Sequence, residues 1–179
     1  MREVTQRGEC AALIDTTNAF DPLSAASNGV NLNRLLCVRC AAPHPKLTPV
    51  DKALLATDWI IHTGGFGLIA FDLADIPPRL AQRIPMTWWY RFRRGIESIS
   101  TSLVVIEQQP FARSCASLVI TLQPGESEWV PTRGQPQNPK LLTGSTFLAE
   151  VTRSRIATFQ RKSPEQVPTP FRVATSWAG

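Results

Sequence analysis

Short, uniformly apolar runs alternate with segments of helical periodicity through the first two thirds of the chain. The runs are bounded by turn signals, and three of them are followed directly by acidic residues, Asp15, Asp72 and Glu107. Strands that are apolar on both faces are typical of a parallel sheet covered by helices. We therefore predict four buried strands, at residues 10–14, 35–38, 66–71 and 103–106.

The segments between these strands carry helix signals. Thr48 and Pro49 open one helix as its cap and first residue, and Gly64 ends it. Shorter helices are predicted at residues 1–8 and 22–26, and a loop or short irregular helix at 74–85. From residue 86 the apolar side chains recur at spacings of three and four. This periodicity predicts a helix whose buried stripe is Met86, Trp89, Phe92, Ile96 and Ile99.

The last third of the chain is predicted to be rich in β-structure. Strands are indicated at residues 118–122, 147–156 and 171–175, and residues 124–142 are predicted as a long loop or an irregular hairpin. The element order predicts an α/β fold, a mostly parallel sheet flanked by helices with an antiparallel β extension. We expect one domain, with an α/β core at residues 1–122 and a β-rich C-terminal extension at 123–179.

Length and charge restrict the class of protein. The chain has 179 residues, enough for a domain with a hydrophobic core. No apolar run approaches the roughly 20 residues of a membrane span, and residues 1–9 lack the apolar core of a signal peptide. We therefore expect a cytoplasmic protein that does not contact membranes. The net charge of +5 and the pI of about 9.4 permit nucleic-acid binding.

Cys37 and Cys40 form a C-x-x-C pair, which is one half of many zinc sites. A zinc site needs two further ligands at a suitable spacing, and neither a second cysteine pair nor the histidines supply them. A reactive thiol pair usually opens a helix, whereas this pair stands at the end of a predicted strand. We interpret both residues as buried strand cysteines and expect no metal site.

Several segments resemble the core of the RecA recombinase family: ALIDTTNAFDP, NLNRLLCVRC, FGLIAFD and SLVVIEQ. The resemblance implies a RecA-like sheet and gives roles to three residues. Asp72 would be the acid that holds a magnesium-bound water, and Gln108 would be the phosphate-sensing glutamine. Asp51 stands near the place of the catalytic glutamate.

The chain departs from this family where nucleotide is bound. No G-x-x-x-x-G-K-[ST] motif occurs, and the glycine cluster at residues 64–67 precedes a predicted strand rather than a helix. Asp51 is also one methylene shorter than glutamate. We therefore expect Asp51, Asp72 and Gln108 to be vestigial, with no catalytic residue and no cofactor.

The resemblance also implies that the first strand and the phosphate loop of the family are missing. In RecA-like sheets that strand lies centrally, and this chain begins in the helix that follows the loop. Losing a central strand would expose two rows of unpaired backbone groups. We expect the remaining strands to close up or to receive a strand from another chain.

Three further segments are similar to ImuA, a RecA-like family of bacterial SOS mutagenesis: LIAFDLADIPPR, TWWYRFRRGIES and the compact link LVVIEQQPFARSCASLVITL. This resemblance implies a non-catalytic accessory protein in SOS-induced translesion DNA synthesis and repair. Its implied partners are RecA and an ImuB-like homologue of the Y-family polymerases. The alternatives are an ATP-dependent recombinase or DNA-binding ATPase, and a SulA-like inhibitor of cell division.

Basic residues after the third predicted strand are candidates for contact with single-stranded DNA. By the same resemblance, the segment with Arg79 and Arg83 faces DNA in RecA filaments. Arg91, Arg93 and Arg94 follow it in the predicted helix. A helix that simply presents a basic face to solvent is an equally open interpretation.

Overall fold

The computed structural model of the protein describes residues 1–131, 140–155 and 169–174. The chain divides into two compact units, Met1–Cys115 and Ala116–Gly179. The first unit contains a parallel sheet with its helices, and the second contains an antiparallel sheet. The predicted α/β fold with a parallel sheet, helices and an antiparallel addition is therefore confirmed.

The parallel sheet has four strands: β1 (Cys10–Asp15), β2 (Leu35–Arg39), β3 (Phe66–Asp72) and β4 (Ser102–Ile106). Their order across the sheet is β2-β1-β3-β4, and every neighbouring pair is parallel. The four strands pair directly, with no gap between them. β1 is buried along almost its whole length, as its position inside the sheet requires.

The helices of this unit are α1 (Arg2–Gln6), α2 (Pro22–Ser27), α3 (Pro49–Thr63), α4 (Pro78–Ala81) and α5 (Met86–Ile96). Of these, α3 and α5 are long, and the other three are short. Single 3₁₀ turns lie at Leu32–Arg34 and Arg113–Cys115. The predicted helices at residues 1–8 and 22–26 and the short irregular helix within 74–85 are confirmed. None of the helices in the described ranges is long and apolar enough to cross a membrane.

α3 begins and ends as its sequence predicts. Thr48 caps it, Pro49 occupies its first position, and Gly64 ends it with a φ of 70° that favours glycine. Its buried face includes Leu54, Thr57 and Ile61. This face packs toward β1, β3 and α5, so α3 closes one side of the sheet.

α5 packs on the sheet through aromatic side chains. The ring centroids of Trp89 and Phe92 each lie 6.3 Å from that of Phe71 on β3, and the Trp89 and Phe92 rings meet edge to face. Gly95 allows α5 to approach α3 closely, because a Cβ there would lie 2.6 Å from Cγ2 of Ile61. The predicted stripe is wrong at Ile99, which lies beyond the helix end and is exposed.

The second unit is a three-stranded antiparallel sheet of order β5-β6-β7: β5 (Leu118–Pro131), β6 (Lys140–Ser154) and β7 (Thr169–Ala174). Residues 124–131 belong to β5 and 140–142 to β6, so the irregular hairpin is the correct alternative there. The pairing of β5 with β6 contains three register shifts. Residues 132–139, 156 and 175 of the predicted loop and strands lie outside the described residues.

Candidate functional site

The carboxyl ends of the four parallel strands bring the predicted site residues to one edge of the sheet. Asp15 pairs with Asp72 in register, and Asp72 pairs with Ile106, two residues before Gln108. In open α/β sheets this edge is where ligands commonly bind.

Asp15 is fully buried, and its carboxylate holds the turn that follows β1. Oδ1 accepts a hydrogen bond from the backbone N–H of Ala19 (3.0 Å), and Oδ2 accepts one from Phe20 (3.1 Å). The turn includes Asn18 at a positive φ of 62°, which asparagine tolerates better than most residues. The Asp15 carboxylate is thus committed to the backbone of its own loop.

Asp72 and Gln108 hold the same segment, residues 74–76. Oδ1 of Asp72 accepts a hydrogen bond from the backbone N–H of Ala74 at 2.9 Å. Nε2 of Gln108 donates to the carbonyl of Ala74 at 2.6 Å and lies 3.4 Å from that of Ile76. The structure brings these two predicted residues together, and both stabilise the loop after β3.

Asp51 lies in the first turn of α3, where it completes a capping box. Its Oδ2 accepts hydrogen bonds from the backbone N–H of Thr48 (2.9 Å) and from the Thr48 hydroxyl (2.7 Å). The Thr48 hydroxyl is also 3.1 Å from the N–H of Asp51. This reciprocal arrangement satisfies backbone donors that the helix leaves unpaired.

Glu107 is an ionisable residue at this edge that the sequence analysis did not select. Burial raises its pKa from 4.5 to about 7, while the backbone N–H groups of Ala112 and Phe111 act to lower the pKa. Oε2 of Glu107 is buried and has no hydrogen-bond partner among the described residues, and the same holds for Oγ1 of Thr16. The sequence feature that could have pointed to Glu107 is its position directly after an apolar strand. An ordinary strand end shows the same pattern, so this feature is not specific.

The glycine cluster at residues 64–67 lies at the opposite edge of the sheet. Gly64, Gly65 and Gly67 line an open cleft of about 690 Å³ together with Arg34 and Ser100. Gly64 directly follows the C-terminus of α3, where the backbone presents carbonyl groups and the negative end of the helix dipole. A phosphate group is favoured at a helix N-terminus, so this cluster does not form a phosphate cradle.

Two of the five candidate arginines are held in ion pairs. Arg91 donates two hydrogen bonds to the carboxylate of Asp58, and Nε of Arg93 lies 3.2 Å from Oε1 of Glu97. The other three, Arg79, Arg83 and Arg94, are exposed. Arg94 lines a shallow groove on α5 with Tyr90, Arg93 and Glu97.

The cysteine pair lies at the end of β2, with Cys37 half-buried and Cys40 buried. Burial raises the pKa of both thiols, which favours the less reactive protonated form. No three His, Cys, Asp or Glu side chains within the described ranges form a group that could hold a metal ion.

No protein-family model matches the chain, and no curated protein matches it.

Proposed function

We propose that this protein is a non-catalytic, RecA-like accessory factor of SOS-induced translesion DNA synthesis and acts in the cytoplasm through protein contacts. Its proposed partners are RecA and an ImuB-like homologue of the Y-family polymerases. The absence of catalysis in this proposal rests on what the predicted site residues bind. Asp51, Asp72 and Gln108 each bind the local backbone, where a nucleotide-binding protein would need them for metal and phosphate.

The identity of the partners rests on the sequence resemblance and on the arrangement of the sheet. The segments similar to ImuA form β3, α5, β4 and the start of β5. They meet in the compact unit Met1–Cys115, apart from the last strand. A parallel sheet of order β2-β1-β3-β4 with aromatic packing of α5 is compatible with a RecA-like core.

An affinity capture experiment tests the proposal. The purified chain is immobilised and offered purified RecA and a purified ImuB-like protein, with and without magnesium and ATP. We expect at least one partner to be retained, equally in both conditions and equally by Asp72→Asn. Failure to retain either partner would reject the proposed contacts.

The ATPase alternative predicts that this chain binds and hydrolyses ATP. A triphosphate needs a cationic clamp, and the glycine cluster lies at a helix C-terminus that disfavours phosphate. Calorimetry with magnesium and ATP should therefore show no heat of binding. Phosphate release that disappears in Asp72→Asn would favour the ATPase instead.

Contact with single-stranded DNA is a second candidate function, favoured by the exposure of Arg79, Arg83 and Arg94. Fluorescence anisotropy with a single-stranded oligonucleotide tests it at low salt. The double change Arg79→Ala/Arg83→Ala should weaken binding and flatten its dependence on salt. The matched control, Arg2→Ala/Arg7→Ala, removes the same charge from two exposed arginines that pair with Glu3 and Glu9. Equal loss in both variants would indicate only a general effect of net charge.

A further inference from the structure

β4 forms one end of the parallel sheet. It pairs with β3 from Leu68↔Ser102 to Asp72↔Ile106 without a register shift. Within the described ranges, no strand pairs with its other side. A regular edge strand presents a row of unpaired N–H and C=O groups, which is a template for a further strand.

The side chains of β4 add an apolar surface to this edge. Exposure alternates along the strand, and Val104 and Ile106 are 47% and 45% exposed. Residues two apart in a strand point to the same face, so these two side chains form one apolar row. The strand contains no charged residue and no proline.

The other edges with described side chains carry protection that β4 lacks. β2 ends in the exposed Arg39. β5 contains Pro124, Glu126 and Glu128, and its pairing has three register shifts. Charges, prolines and bulges are the devices by which proteins prevent edge-to-edge pairing.

We propose that β4 pairs with β4 of a second copy of this chain, antiparallel and about a two-fold axis at Val104. The pairing would join the two four-stranded sheets into one continuous sheet. The edge is complementary to itself: Ser102 would face Ile106, Val104 would face its own copy, and Thr101 would face Glu107. No like charges face each other in this register. Because both copies use the same strand, the pairing ends at a dimer and does not extend into a longer assembly.

The contact is short, so the dimer is weak. A five-residue strand is about 17 Å long, so only a few hydrogen bonds and side chains can meet across the axis. The inference concerns the chain alone and does not depend on the proposed partners.

Sedimentation equilibrium of the full chain over a concentration series, up to about 100 μM, tests the proposal. We expect a reversible monomer–dimer equilibrium. Val104→Lys should abolish the dimer, because it places two lysines opposite each other at the axis. The control is Leu36→Lys, which adds the same charge at a 45% exposed position of the other edge and should leave the dimer intact.

The two-fold geometry makes a sharper prediction. Val104→Glu alone should also be monomeric, but an equimolar mixture of Val104→Lys and Val104→Glu should form a heterodimer, because opposite charges then face each other. Circular dichroism and a melting curve confirm that each variant is folded. A wild-type monomer at every concentration, equal dissociation by Leu36→Lys, or no heterodimer from the folded charge variants would overturn the proposal.

Discussion

Arg91 on α5 donates two hydrogen bonds to the carboxylate of Asp58 on α3, from Nε to Oδ1 at 2.5 Å and from Nη2 to Oδ2 at 2.6 Å. The Asp58 side chain is only 6% exposed, whereas that of Arg91 is 57% exposed. Oδ1 of Asp58 also lies 3.6 Å from Nδ1 of His62, and the Arg91 guanidinium lies over the ring of Trp88. The pair thus joins the two long helices on one face of the sheet.

We predict that Arg91→Ala lowers the free energy of unfolding by about 1–3 kcal/mol, because it leaves a buried carboxylate without its main partner. Arg91→Lys should cause a smaller loss of stability, since an ammonium group cannot make both parallel hydrogen bonds. Urea denaturation measures the change. Arg93→Ala is the control: it breaks an exposed pair with Glu97 and should cost less than about 1 kcal/mol. Equal losses in the two alanine variants would contradict the prediction.

Asp51 gives a prediction that separates a structural role from a catalytic one. Asp51→Ala removes half of the capping box at the start of α3 and should lower stability by about 1 kcal/mol. Thr48→Ala should have an effect of similar size, and the double variant should lose less than the sum of the two. Thermal or urea unfolding checks this coupling, and strictly additive losses would argue against it.

The fold was largely predictable because its strands are short apolar runs with clear boundaries. The strand at residues 66–71, for example, lies between two glycines and Asp72, and the helix before it has a threonine cap and a glycine end. Each of these signals is local in the sequence. The error at Ile99 arose because the apolar spacing continues for three residues after α5 ends.

The chemistry of the site was less predictable, because it depends on contacts between distant residues. Gln108 could be placed at the end of β4, but its bonds to the carbonyls of Ala74 and Ile76 depend on how the loop after β3 folds. In the same way, nothing near Arg91 in the sequence indicates Asp58 as its partner. Burial of Glu107 is also a tertiary property, and periodicity in a five-residue strand does not reveal it.

We expect the protein to tolerate Asp72→Asn, a change that would impair an acid whose role is to bind magnesium. In Asp72→Asn, the remaining Oδ1 can still accept the hydrogen bond from the N–H of Ala74, so we expect stability within about 0.5 kcal/mol of the wild type. Asp72→Ala loses this acceptor and should cost about 1 kcal/mol. Chemical denaturation of the two variants makes the comparison. A large loss in Asp72→Asn would show that the charge itself matters.

Glu107 should make stability depend on pH. Its pKa in the folded protein, about 7, lies above the ordinary value of 4.5, so between these values the folded state binds more protons than the unfolded state. Stability from this group is therefore fully present below about pH 4.5 and is lost as the pH rises through 7.

Glu107→Gln removes this titration and keeps the size of the side chain. We expect it to match the wild type near pH 4.5 and to be more stable than the wild type at about pH 8, where the wild-type protein must hold a half-buried charge. Unfolding curves across this range give the difference directly. Glu126→Gln, at an exposed position, is the control and should show no such divergence. If the Glu107→Gln and wild-type curves stay parallel from acid to alkaline pH, Glu107 ionises as freely in the folded protein as in the unfolded chain.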